Sequence, residues 1–189
     1  MATRQIKYYA RGFATKYVPW HDDYLKINTF PHPTSVNIDG GAELLRKISV
    51  LPPSYQQAIL QQYNEILLWK QVDLVDQKII APIVDIQTNE SHCPPTIVLP
   101  IFTPLMKREE VWKYNERELN MLVGIFAAKH HINDNDLIDF YDDVIAFCET
   151  YDLQSDDILR NPSNIGYHAS LGLRLIDYGL SKNNQLLTY

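Results

Sequence analysis

The stretch Leu119–Tyr151, LNMLVGIFAAKHHINDNDLIDFYDDVIAFCETY, decides the fold, because no other part of the chain has so clear a period. It reads as two amphipathic helices joined by a short turn. Asn115 with Glu118 three residues on makes a capping-box pattern, in which the Asn side chain accepts from backbone N–H groups and the Glu reaches back. Leu119, Leu122, Val123 and Phe126 recur at three- and four-residue spacing and so share one face. Lys129, His130 and His131 suit a helix C-terminus, and Ile132 and Asn133 make the turn. The second helix carries Leu137, Phe140, Tyr141, Val144, Ile145, Cys148 and Tyr151 on one stripe, with Asp136, Asp139, Asp143 and Glu149 off it. A short connection between two such helices implies an antiparallel hairpin.

Working outward, Tyr55, Ile59, Tyr63, Ile66 and Leu67 form the stripe of another helix, with Gln56, Gln57, Gln61 and Gln62 facing away. Ser54 is a candidate cap for it, Ala42–Val50 a shorter helix before it. Pro104 suits a first helical turn leading into Lys107–Tyr114. Ile165, His168, Leu171, Leu175 and Ile176 give a last helical stripe, closed by Gly179-Leu180 as a left-handed cap. Strand signals are fewer. Residues 24–38 are extended in character, broken by Pro31 and Pro33. Ile79–Ile86 is β-branched, and Thr96–Leu99 makes a second short strand that pairs with it across a polar loop. Residues 4–18 fit either a helix or strands. The predicted fold is mainly α (α+β): one globular domain over 1–189, a helical bundle with a small antiparallel β element from 24–38 and 77–99, and a loose tail at 182–189.

Length and composition agree with a chain able to bury its own core. At 189 residues, 46% apolar and 21% charged, it has the proportions of a soluble globular protein. Cys93 and Cys148 make no disulfide framework, so a reducing cytoplasm is the simplest compartment. No apolar run reaches the roughly 20 residues of a membrane span, and no signal-peptide core stands near the start, so no membrane is expected among the partners. Twelve tyrosines against seven glycines, with neither phosphate-loop nor dinucleotide fingerprint, argue against a Gly-rich nucleotide site, and no cofactor is expected.

Charge is unevenly spread. Net charge is −6, yet residues 1–21 hold Arg4, Lys7, Arg11 and Lys16 and no acid, while residues 132–159 hold nine acids and no Lys or Arg. Solvated charged faces are the ordinary outcome of such runs. The sharper reading is an acidic surface, built on Asp136, Asp139, Asp143 and Glu149, that meets a basic surface of another protein. The basic segment, interleaved with Tyr8, Tyr9, Phe13, Tyr17 and Trp20, has the composition of a single-strand nucleic-acid site, which makes a nucleic-acid-binding or nucleic-acid-mimicking regulator an alternative.

Two further constellations carry possible chemistry. His32-Pro33-Thr34 and His168-Ala169-Ser170 are paired H-x-[ST] elements, and they resemble the signature of two-histidine phosphoesterases. That resemblance, over six residues, implies His32 and His168 as acid and base and Thr34 and Ser170 as phosphate binders on strands facing one cleft. Here Pro33 interrupts the first element and the second falls in a helical stripe. His92-Cys93, His130-His131 and Cys148 match no zinc spacing, and Cys148 reads as core, so no metal is expected. Asn133–Asp136 lacks the glycine and terminal Glu of a calcium loop and reads as helix capping. The expectation that follows is a non-enzymatic interaction protein: an adaptor, inhibitor or assembly subunit.

Overall fold

The fold is that of a computed structural model, which describes residues 10–11, 15–21, 24–29, 53–87, 96–179 and 181–182. The chain is α+β: the described residues form two antiparallel sheets and three helices longer than two turns. It divides into two compact units.

The first unit carries a five-stranded sheet in the order β1-β2-β3-β5-β4: β1 (Ala10–Arg11), β2 (Thr15–His21), β3 (Tyr24–Thr29), β4 (Asp85–Gln87) and β5 (Thr96–Pro100). Every pairing is antiparallel. Thr, Tyr, Val and Trp favour the extended chain in β2. Among the described residues β1 pairs with Thr15 and Lys16 and does not reach Pro19, which suits a residue that cannot donate to a ladder; the register shifts between Pro19 and His21. β4 and β5 pair as expected, Ile86 opposite Ile97. The sheet is larger than the small β element the sequence suggests, because the ambiguous segment 4–18 supplies β1 and the first part of β2.

Helix α1 (Pro53–Gln71) joins this sheet through a cluster of Ile66, Ile83, Ile97 and Leu99, with Trp69 and Ile86 packed on it. Ile59, Leu60, Tyr63 and Leu68 are also buried. So are Gln62, Asn64 and Glu65, and each of these three residues takes part in an interaction there. The expectation that Gln62 faces away is therefore corrected: this helix is enclosed on most of its circumference, and a polar residue then needs a partner rather than water.

The second unit holds a three-stranded sheet, order β6-β7-β8, from β6 (Thr103–Pro104), β7 (Ile165–His168) and β8 (Gly172–Leu175). Its helices are α2 (Arg108–Val111), α3 (Glu116–Lys129), α4 (Asp134–Thr150) and α5 (Ser155–Leu159). The two predicted central helices form, joined by a short turn. Asn115 caps α3 with the complete reciprocal box, its Oδ1 accepting from Glu118 N–H at 3.1 Å while Glu118 Oε2 accepts from Asn115 N–H at 2.9 Å. The helix closes on a Schellman turn: His131 takes φ 57°, Ile132 N–H donates to Ala127 C=O at 2.9 Å and His131 N–H to Ala128 C=O at 3.3 Å. Asn133 then caps α4.

Four expectations fail. Residues 165–176 form a β-hairpin, not a helix. Gly166 and Gly172 are poor helix formers, and Ile165, Leu173 and Leu175 bury themselves at alternate strand positions. The positive φ belongs to Gly172 (75°) and not to Gly179; it follows a turn in which Leu171 N–H donates to His168 C=O at 3.2 Å. Pro104 lies in β6 rather than a helix start. The Ile79–Ile86 run is not one strand either. Pro82 cannot extend a ladder, and the run serves two cores: Ile79 and Ile80 are buried beside β8, with Ile80 bridging Leu175, while Ile83 joins the α1 cluster. The helix predicted over Ala42–Val50, the loop at 88–95 with His92 and Cys93, and the tail beyond residue 182 lie outside the described residues.

Candidate interaction face

Helix α4 positions the acidic residues. Phe140, Val144, Phe147 and Cys148 are its buried side, Leu137 and Tyr141 are half-buried beside them, and the opposite side is open. Asp136, Asp139, Asp142, Asp143 and Glu149 are all exposed. Ion pairs join Lys107 to Glu110 at 3.8 Å and Lys182 to Asp152 at 3.4 Å, and among the described residues none reaches Asp139, Asp142, Asp143 or Glu149. Asp136 differs from the others. Its N–H donates to Asn133 Oδ1 at 2.7 Å and its Oδ2 accepts from Asn133 Nδ2 at 2.6 Å, so it completes the cap at the positive end of the helix dipole.

At 100° per residue the acids fall on two lines. Asp136, Asp139 and Asp143 share one. Asp142 and Glu149 share another, together with Ile138 and Ile145, which are 57% and 38% exposed. Ile145, on the stripe expected to be buried, is exposed, and Phe147, outside that stripe, is buried. Positions 140, 144, 147 and 148 form a closer stripe than one that includes 145, but both stripes fit a helical period, so packing decides between them.

The basic alternative is divided. Arg11 lies on β1 and Lys16 on β2, opposite Ala10, while Arg4 and Lys7 lie outside the described residues. His32 and Thr34 also lie outside them. His168 ends β7, with its Nδ1 accepting from Ser170 N–H at 3.2 Å and its ring tilted against Phe102, centroids 5.5 Å apart. That geometry is a turn capped by its own histidine. His130 stacks between Phe126 at 4.3 Å and Tyr167 at 5.0 Å, tying the end of α3 to β7. Among the described residues no three His, Cys, Asp or Glu side chains gather as a metal ion requires, and no helix is long and apolar enough to cross a membrane.

Cys148 is fully buried, and desolvation pushes its thiol from the ordinary 9.0 up to about 11, against a smaller opposing effect of Lys182. It is an inert core thiol and not a nucleophile. At pH 8, alkylation of Cys148 in the native chain is expected to run at least about a hundredfold slower than that of a peptide thiol, followed by mass spectrometry of its own peptide. The folded state holds this proton more tightly than the unfolded one. Stability therefore falls as pH rises from 9 towards 11, and urea midpoints across that window measure it. Reaction at the peptide rate would place the thiol at the surface.

Comparison with protein-family models, curated proteins and solved structures finds no match for this chain.

Proposed function

We propose that this chain is a non-enzymatic interaction protein of the cytoplasm, an adaptor, inhibitor or assembly subunit, that meets a basic protein surface through α4. The observation that carries the proposal is a 17-residue helix with several exposed carboxylates and no cation of its own. Unpaired surface acids cost folding little and speed encounter with a basic partner. The same proposal takes the helices of the second unit as a helical bundle with α4 on its outside, which the tight reversal at His130–Asn133 supports.

Reversing Asp139→Lys and Asp143→Lys tests it. The double variant is expected to keep its stability within about 0.5 kcal/mol, since both sites are exposed and neither caps the helix. Recovery of a partner on the tagged chain should fall, and what binding remains should depend less on salt, because screening acts over about 8 Å at physiological ionic strength. A variant that unfolds would make these carboxylates internal partners. Unchanged recovery would move the interface elsewhere.

A further inference from the structure

Ile138, Asp142, Ile145 and Glu149 follow one another along α4 at spacings of four, three and four. At 100° per residue they fall within about 60° of one another, so they make a single line along the helix. All four are exposed. The line stands apart both from the buried side of Phe140, Val144, Phe147 and Cys148 and from Asp136, Asp139 and Asp143.

One exposed isoleucine on a surface needs no explanation. Two on the same line, one turn apart from Asp142 and Glu149, put exposed apolar surface beside charge, the two contacts by which paired helices recognise each other. Local helix formation gives no reason for them, because β-branched residues are weaker helix formers than Ala or Leu. From this line we infer that α4 is a docking edge for a basic amphipathic helix of another protein. The inference rests on the reading of α4 as an interaction helix and says which side of it is used and by what.

Charge selects the occupant. α4 carries no Lys or Arg, so a partner covering Ile138 and Ile145 must bring cations to Asp142 and Glu149. A second copy of this acidic chain would set carboxylates against carboxylates. Nucleic acid and anionic lipid are repelled for the same reason. A helix with apolar residues at i, i+3 or i+4, and i+7 and Lys or Arg beside them satisfies both halves of the line. From Ile138 to Glu149 the edge runs for roughly 16 Å, so about three turns of a partner cover it. Asp139 and Asp143, round the helix, then act at a distance, on encounter.

The test uses the full chain at physiological salt and two synthetic 21-residue peptides of identical Lys, Leu and Ala composition. One has leucine at helical three- and four-residue spacing; the other is scrambled. Fluorescence anisotropy should show the amphipathic peptide binding at least tenfold tighter than the scrambled one. Ile138→Ser with Ile145→Ser should remove at least that tenfold, while Asp139→Lys with Asp143→Lys weakens binding by less than threefold. Should the serine pair lower the helix signal in circular dichroism, Asp142→Asn with Glu149→Gln probes the same line and should cost at least threefold. Equal affinity for both peptides, no binding of either, or dependence on Asp139 and Asp143 without dependence on the isoleucines overturns the inference. Co-purification that still depends on Asp139 and Asp143 would in those cases leave the wider reading standing.

Discussion

Phe147→Ala is expected to destabilise the second unit by about 3–5 kcal/mol, the range for truncating a fully buried phenylalanine. Phe147 is 1% exposed and lies on the same side of α4 as Val144 and Cys148. Its ring packs on Tyr151 with centroids 4.7 Å apart, and the Tyr151 hydroxyl donates to Asp76 Oδ2 at 2.7 Å. Losing the ring therefore leaves a cavity and frees the residue that ties the end of α4 to the 3-10 turn at Asp76–Lys78. Such a loss is a large share of the 5–15 kcal/mol typical of a domain. The urea midpoint should drop with little change in slope. Ile145→Ala makes the control. Ile145 is exposed, so that change should stay within about 0.5 kcal/mol. The reverse order, Ile145 costly and Phe147 cheap, would mean that α4 is rotated about its axis by roughly half a turn.

Gly166→Ala is expected to cost about 2–3 kcal/mol by overpacking, although alanine is the smallest possible addition. Gly166 sits on β7, the middle strand of its sheet, opposite Pro104 on one side and Arg174 on the other. A Cβ there would lie 2.7 Å from Phe102 Cβ and 3.0 Å from Ile176 Cγ2. The first of these is the root of a side chain and cannot swing away without moving its backbone. Phe102 immediately precedes β6 and Ile176 immediately follows β8, so each is tethered to a strand beside β7 and the strain has no cheap outlet. Gly124→Ala is the matching control, since nothing lies within 4 Å of its Cβ position in α3. There the same substitution should stabilise by about 0.5–1 kcal/mol through helix propensity alone. Opposite signs for one chemical change at two glycines would establish that space decides Gly166. A neutral Gly166→Ala would mean that β7 and Phe102 are not packed as described.

The two sites mark where the sequence was and was not legible. In the central hairpin, every local signal agreed with the period: the Asn115 and Asn133 caps, the cations ending α3 and the aspartates opening α4. Those are interactions between residues three to five apart, so the chain states them without help from elsewhere. The short strands at 24–29 and 96–100 were readable for the same reason, runs rich in β-formers bounded by proline or polar residues. Around residue 166 the pattern fitted a helix only by counting apolar positions. The two glycines argued otherwise, and what makes Gly166 obligatory is the closeness of Phe102, more than sixty residues away in the chain.

The acidic line on α4 divides in the same way. That the helix carries acids and no cations is a property of the sequence, and so is the placement of Asp139 and Asp143 away from the apolar stripe. Which apolar residues are left over is not. Ile145 and Phe147 are two positions apart and nearly opposite on a helix, and only the packing of the second unit decides that Phe147 goes inward and Ile145 stays in water. Burial of α1's Gln62, Asn64 and Glu65, the split of the 79–86 run between two cores and the hairpin of β7 and β8 belong to the same class. Local propensity fixes where a helix starts, stops and holds its charges, because those energies act within a turn. Which face is covered, and what stays open to a partner, depends on contacts between residues far apart in the chain, and these exist only once the tertiary structure has formed.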